Sequence, residues 1–493
     1  MAASRPEPRV ARRRYANALA LVGVLVIALA VSTLASRNGN PSYGQPCAAQ
    51  GLHSLSLAPE RSGPVTTYNL PKPLRSPNSI LVAPDRSIWF GEVGLRGVSH
   101  LFQNGTLLEY AWPSSGGIPA DRCYDLSEIW GLASWHGLIW ATDSANDRIL
   151  GLDPSTHTFQ TISLKNGTLP GFLAVDMRGN LWFTEGSAPA VVGDVDGATG
   201  SIAYYSIPAA GEFAASLFFQ NSTLAYVTTV NPEDDLGHLF AFNPTAQAPS
   251  FKQLGGNQTL LAPYSVAATD EGVWVSEHHA SNIALLDRST GAWRFYPTST
   301  DAQIPLSLPY YLQANGTRVW FNEHDASKVA VVCCGRTSLT EYNVSSTSLT
   351  ETGIGNVLTI GLDKNLVWFT AWTGNQVGYV NASYPVGFSI SSNATGDQVT
   401  IQRGASAIIQ LRIDGTSTKP LRMAFSDSES YTSVPSLISF VPDAMTIAGL
   451  DGSQTIKLRI APSSSLTAGS YELLATVTDG LIYRSVYVAI TVT

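Results

Sequence analysis

Two acid–histidine pairs stand at the same place in two closely similar stretches. Glu277-His278 lies in "GVWVSEHHASNIALL" (272–286) and Glu323-His324 in "RVWFNEHDASKVAVV" (318–332). A looser copy, "NLWFTEGSAPAVVGDV" (180–195), ends its Trp segment in Glu185. Carboxylates gathered from several such strand ends suit a hard, oxygen-liking cation such as Ca²⁺ or Mg²⁺. Imidazoles added to them suit a transition metal. Neighbouring side chains on a strand point to opposite faces. A metal held by Glu277, His278, Glu323 and His324 together therefore requires each strand to end before its histidine. The competing explanation is inheritance of one repeat, with acids that are solvated and meet turn N–H groups.

The stretches belong to a long repeat. Trp89, Trp140, Trp182, Tyr226, Trp274, Trp320 and Trp368 follow one another at intervals of 51, 42, 44, 48, 46 and 48 residues. Within one interval the chain reads "YSVAAT", a turn, "VWVSEH", a turn, "NIALLD", a turn and "AWRFYP". That is four short strands in an up-and-down meander. Four strands at this period predict a β-propeller blade, and seven copies predict seven blades over 65–384. The second strand is apolar on both faces, as in Val319, Trp320 and Phe321, which fits a strand covered by blades on both sides. The last copy supplies three strands, "LTIGL", "VWFTAW" and "QVGYVN", whereas "VTTYNLP" (65–71) reads as an orphan fourth. The N-terminal strand is thus expected to complete the last blade and remove both sheet edges.

In such a meander the start of strand one and the end of strand two face one side. Glu92, Asp143, Glu185, Glu277 and Glu323 are then expected at the mouth of the central channel, with Thr229 and Ala371 in the other two copies. Asn78, Tyr264 and Tyr310, with Tyr311 beside it, join them from the strand-one starts. Acids with aromatic walls suit a carbohydrate or a small apolar cation. Core packing is the alternative use of the same rings. No His-Glu-x-x-His, glycine-rich phosphate loop or Ser-His-Asp spacing is present.

Beyond Pro385 the repeat stops. Residues 385–493 alternate in "TIKLRI", "SYELLATV" and "SVYVAITV", and about 100 residues of this kind predict a β-sandwich. At the other end, Arg5, Arg9, Arg12, Arg13 and Arg14 in a basic tail (1–15) precede an apolar run (16–35). About 20 apolar residues span a bilayer, and the arginines would stay cytoplasmic. The run is read as a transmembrane anchor or a signal sequence. Either way the chain beyond it lies outside the cell, starting with a stalk or linker (36–64). A retained run gives a single-pass cell-membrane protein with a cytoplasmic N-terminus; a cleaved one gives a secreted protein.

The totals of 29 basic and 37 acidic residues become 24 and 36 without the tail, a net of −12, which argues against a nucleic-acid partner. Charged residues are only 13% of the chain. Eight Asn-x-Ser/Thr sites, at Asn104, Asn166, Asn221, Asn257, Asn315, Asn343, Asn381 and Asn393, are candidate glycosylation points. Two of them, in "QNGT" and "ANGT", also read as tight turns. The four cysteines, Cys47, Cys123, Cys333 and Cys334, allow three pairings. Cys47–Cys123 with a vicinal Cys333–Cys334 bridge is the favoured set, against simple free thiols.

"SPNSILVAPDRSIWFGE", "LPGFLAVDMRGNLWFTE", "APYSVAATDEGVWVSE" and "LPYYLQANGTRVWFNE" share Pro-x-x-apolar, a turn and Trp-x-x-acid. Over about 65–382 this pattern resembles the virginiamycin B lyase (streptogramin lyase) family of seven-bladed propellers, whose relatives include NHL and gluconolactonase-like propellers. The resemblance implies a Mg²⁺-dependent lyase with a histidine base in a Pro-His motif and an acid at the end of strand two. Here the Pro-His position is occupied by Asn78, Gly171, Tyr264 and Tyr310, and none is histidine. The stretch "SSSLTAGSYELLATVTDG" resembles the immunoglobulin-like modules of prokaryotic surface proteins. The combined expectation is an extracellular, membrane-anchored binding or scaffold protein. Its ligand or divalent ion sits at the propeller mouth, and its partners are other surface proteins or glycans. The rival is a divalent-metal-dependent lyase or hydrolase of the streptogramin lyase or gluconolactonase type.

Overall fold

A computed structural model describes residues 53–72, 75–112, 129–300, 306–333, 335, 337–344, 357–394, 399–428 and 436–493. The basic tail, the apolar run, Cys47, Cys123 and Cys334 lie outside them. Among the described residues no helix is long and apolar enough to cross a membrane.

The described chain is all-β, and its repeats fold as antiparallel meanders. The strands of repeat one are Pro77–Val82, Ile88–Glu92, Gly97–Leu101 and Thr106–Ala111. Six further meanders have inner strands beginning at Leu132, Pro170, Phe213, Val266, Pro309 and Val357. Each inner strand touches the inner strand of the next repeat, and the inner strand of the seventh touches that of the first. The result is a propeller. Val65–Asn69 pairs with Gln376–Asn381, Val65 opposite Val380 and Asn69 opposite Gln376. The seam of the ring is thus sewn by main-chain hydrogen bonds between the two ends of the repeat array.

Part of the stretch expected as stalk is sheet. His53–Ser56 pairs on the outer strand of repeat one, and Pro59–Ser62 on Val65–Asn69 in repeat seven. One short segment therefore covers the outer edges of both repeats that flank the seam. The turn in "QNGT" differs from a two-residue type I′ hairpin. Gly105 has φ +83° while Asn104 is absent from the positive-φ residues. The Asn104 carboxamide oxygen instead accepts the Thr106 N–H at 2.9 Å. Glycine takes the left-handed position, and asparagine braces it.

The Trp column packs the seams. Trp89 shares an apolar cluster with Ile139 and Leu150 of repeat two, Trp140 with Phe183, and Trp182 with Val227. Tyr226 shares a cluster with Val275, Trp274 with Phe321, Trp320 with Phe369, and Trp368 with Phe90. Burial of these rings helps hold adjacent sheets face to face, and polar contacts cross the seams as well, such as Arg86 with Asp363 and the Leu312 N–H with the Ser265 hydroxyl.

The described residues from 388 to 493 form two facing sheets. Phe388–Ser392, Ala407–Ser417, Leu450–Pro462 and Ile438–Pro442 make one. Leu421–Asp427, Gly469–Thr478 and Ile482–Val492 carry the other, with Val399–Ile401 parallel to the last strand. This second sheet is continuous with the propeller. Ile482–Val492 pairs along the outer strand of repeat six, Ser338–Asn343, with Ser338 opposite Val486. The sandwich core and the seam between repeats six and seven belong to one apolar cluster.

Candidate functional site

The register places the strand-end acids at one end of the ring. Glu92 pairs with Pro77, Glu185 with Pro170 and Glu323 with Pro309, each the first residue of an inner strand. They do not face open solvent. Glu92, Asp143, Glu277 and Glu323 are fully buried, and Glu185 nearly so.

Four of the five meet a cation from their own chain. Arg75 lies 3.3 Å from Glu92, Arg148 2.6 Å from Asp143, Lys165 2.8 Å from Glu185 and Lys328 3.3 Å from Glu323. The Glu277 carboxylate accepts the Leu261 N–H at 3.1 Å. Burial pushes the Glu92 carboxyl up to about 8, against the pull of the Ser99 hydroxyl and Arg75. Burial raises Glu185 too, with Lys165 opposing it. Glu323 stands well above the usual carboxylate range because it is buried, and the nearby Glu341 adds to this.

The two repeats without a strand-end acid use substitutes that sequence reasoning missed. In repeat four, Glu212 from the preceding turn accepts the Thr229 hydroxyl and lies 2.8 Å from His238 Nδ1. Its signal was an acid just before the inner strand rather than at the end of the second. In repeat seven Asn375 does the work, accepting the Arg75 and Ser76 N–H groups at 2.8 and 3.2 Å.

In five repeats the residue before the strand-end position has a separate task. Inner strands bulge just after they start, at Pro170/Leu173, Pro309/Leu312 and Val357/Thr359 among others. A bulge frees a backbone N–H, and a side chain on strand two receives it. Thr142 accepts Gly131 N–H at 3.0 Å, Thr184 accepts Phe172 at 3.0 Å and Ser276 accepts Ser265 at 3.0 Å. Asn322 accepts Tyr311 at 2.8 Å and Thr370 accepts Thr359 at 3.2 Å. Gly131 is required by close approach, since a Cβ there would stand 2.5 Å from Leu173 N and 2.6 Å from Gly171 O.

The second strands end at Glu277 and Glu323, and His278 opens a single 3₁₀ turn. Strand alternation therefore does not separate each histidine from its acid. His278 and His324 are buried, with ring centroids 5.7 Å apart and planes 26° from parallel. Tyr264 and Tyr310 each stand edge-on to His278, at 5.4 and 5.3 Å. His278 Nδ1 lies 3.2 Å from the Pro309 carbonyl oxygen. Burial first, then His324 and His279, hold His278 well below the usual imidazole range. Among the described residues no group of three or more His, Cys, Asp or Glu side chains is placed to hold a metal ion. The Mg²⁺ site that the resemblance implies, and the Ca²⁺ or Mg²⁺ expected at the acid ring, do not fit the acid column, because an Arg or Lys side chain already stands against four of its five acids.

Asn78, at 1% exposure, is buried, as is Tyr310, and Tyr264 is half-buried. Of the glycosylation candidates, Asn104, Asn166, Asn221, Asn257, Asn315 and Asn393 are exposed. Asn343 and Asn381 are half-buried, and Asn343 Nδ2 donates to the Gly480 carbonyl at 3.3 Å. Cys333 is half-buried at the end of Lys328–Cys333.

A ring of meanders, inner strands inward and acids at one rim, defines the class as β-propeller. Solved streptogramin lyases share this fold. A streptogramin B lyase superposes with a TM-score of 0.51 at 21% identity, over 64% of this chain and 97% of that one. Virginiamycin B lyase from Staphylococcus aureus gives 0.51 at 18%, over 67% and 99%. A catalytically inactive variant of the S. aureus enzyme with quinupristin gives 0.51 at 17%, over 64% and 98%. At these identities the likeness concerns the fold. No family model matches the chain, and no curated protein does.

Proposed function

We propose that this chain is an extracellular, membrane-anchored binding or scaffold protein. It is read as a seven-bladed propeller closed by an N-terminal strand, followed by an Ig-like sandwich and held at the cell surface by the segment at 16–35. The propeller mouth takes a ligand, and the partners are surface proteins or glycans. One observation carries this reading. The acids that would hold a catalytic cation meet Arg75, Arg148, Lys165 and Lys328 instead. The Pro-His positions, being Asn78, Gly171, Tyr264 and Tyr310, offer no imidazole base.

The second reading is a divalent-metal-dependent lyase or hydrolase, supported by the likeness in fold to streptogramin lyases. Metal analysis of the purified chain separates the two, with turnover of a streptogramin B measured in the same preparation. The binding reading expects no stoichiometric Mg²⁺ or Ca²⁺ and no ring opening. One divalent ion per chain, lost in Glu277→Ala or Glu323→Ala together with turnover, would overturn it. Membrane attachment is tested by fractionating cells that express the full chain, where recovery in the medium after cleavage near residue 35 would refute a retained anchor.

A further inference from the structure

Aromatic rings gather where the inner strands begin. Phe172 stands in repeat three, Phe213 in repeat four, Tyr264 in repeat five, and Tyr310 and Tyr311 in repeat six. Repeats three and six lie opposite one another across the ring. The Phe172 and Tyr311 rings are nevertheless 5.8 Å apart and 21° from parallel. They meet across the ring. Phe213 approaches Tyr264 at 6.4 Å, and Tyr264 approaches Tyr310 at 5.3 Å. Phe172, Phe213, Tyr264 and Tyr311 are half-buried.

A second observation points to a guest. Asn78 follows Pro77 as Tyr264 follows Pro263 and Tyr310 follows Pro309, so it occupies the same rim position in repeat one. Its side chain is buried, yet neither Nδ2 nor Oδ1 has a hydrogen-bond partner. The neighbouring Ser79 hydroxyl lies instead against Gly91 and Ile129, inside the seam to repeat two. A buried amide that can donate and accept is costly unless something meets it. Four of the five rim acids already stand against an Arg or Lys, which weakens the attraction for a cationic or metal ligand.

We propose that this rim binds a neutral carbohydrate. One apolar pyranose face lies against the Phe172–Tyr311 pair, and its hydroxyls meet the Asn78 amide. The inference rests on the binding reading above and names the ligand class for that same site. Flat apolar faces ringed by hydroxyls match aromatic walls with few polar groups.

The test is isothermal titration of the full chain in detergent with soluble neutral oligosaccharides, namely β-1,4-linked hexamers of glucose and of N-acetylglucosamine and an α-mannan fragment. Polygalacturonate serves as the anionic control. At least one neutral probe should bind, with little salt dependence. Phe172→Ala should weaken it at least ~10-fold, as expected for one lost stacking face, and Asn78→Ala should weaken it too. Tyr311→Phe keeps the ring and should bind nearly as wild type, which covers the case that Phe172→Ala fails to fold. Failure of every neutral probe, or binding unchanged in both Asn78→Ala and Phe172→Ala, would overturn the proposal. Binding of a protein or ion instead would sink the carbohydrate inference while leaving the binding reading intact. Streptogramin turnover would sink the binding reading itself.

Discussion

Replacing Lys328 by methionine is expected to destabilise the joint between propeller and sandwich. The ammonium is almost fully buried. It donates to the Ser299 hydroxyl at 2.6 Å, the Ser299 carbonyl at 3.1 Å and Glu341 at 3.1 Å, with Glu323 at 3.3 Å. The Tyr483 ring of the sandwich lies 4.3 Å above it. Burial works against the charge, but Glu323 and Glu341 outweigh it and raise the Lys328 pKa. Methionine keeps most of the volume and removes the cation, leaving two buried carboxyl groups facing each other. Removing one partner of a buried ion pair costs about 3–5 kcal/mol. Protonation of one acid limits this at low pH, so the deficit should grow as pH rises from 5 to 8. Urea unfolding followed by tryptophan fluorescence gives the difference, and limited proteolysis near Pro385 reports loosening of the joint. The triple variant Lys328→Met/Glu323→Gln/Glu341→Gln should recover most of the loss, since a wholly neutral replacement leaves no orphaned charge. A single variant within about 1 kcal/mol of wild type, less than a buried charged hydrogen bond is worth, would refute the reasoning. So would a triple variant no better than the single.

Three further outcomes follow from the same geometry. The Glu92 carboxyl, raised to about 8 mainly by burial, binds its proton more tightly folded than unfolded. Its contribution is full below the unfolded carboxylate pKa and is lost as pH rises through about 8; Glu92→Gln should therefore flatten the fall in stability between pH 5 and 9 in urea titrations. Thr184→Val keeps shape but strips the acceptor from the Phe172 N–H, and should cost about 1–3 kcal/mol, whereas Thr184→Ser should cost little. Thr67→Pro places a residue without an N–H in the strand that closes the ring. Because Thr67 has neighbours on both sides, Glu60 and Gly378, the loss should be ~3 kcal/mol or more, seen as protease sensitivity at both ends of the propeller array.

The acid column shows where local pattern stops being informative. A strand ending in Glu looks the same whether its carboxylate meets solvent, a metal or an arginine. The answer depends on Arg75, which precedes its strand by only a few residues, and on Glu341, which is buried because Ile482–Val492 adds to the outer edge of repeat six. Neither contact leaves a mark on the motif. The histidines illustrate the same point. Alternation separates Glu277 from His278 only while the strand continues, and the chain turns into a 3₁₀ step at that residue.

What the amino-acid sequence determined by itself is the periodic part: four strands per repeat, the Trp column, the rim on which the acids lie and the strand at 65–71 held over for the last repeat. These follow from apolar alternation and turn residues, which act over a few neighbours and recur. Only the tertiary structure decided what the periodic part is used for. The Phe172–Tyr311 contact, the strand at 53–56 on repeat one and the sheet shared with the sandwich join residues far apart in the chain, while Asp143 and Glu323 meet nearby cations, Arg148 and Lys328, that the strand motif does not mark. Their energies come from burial and charge pairing between partners that no local pattern encodes.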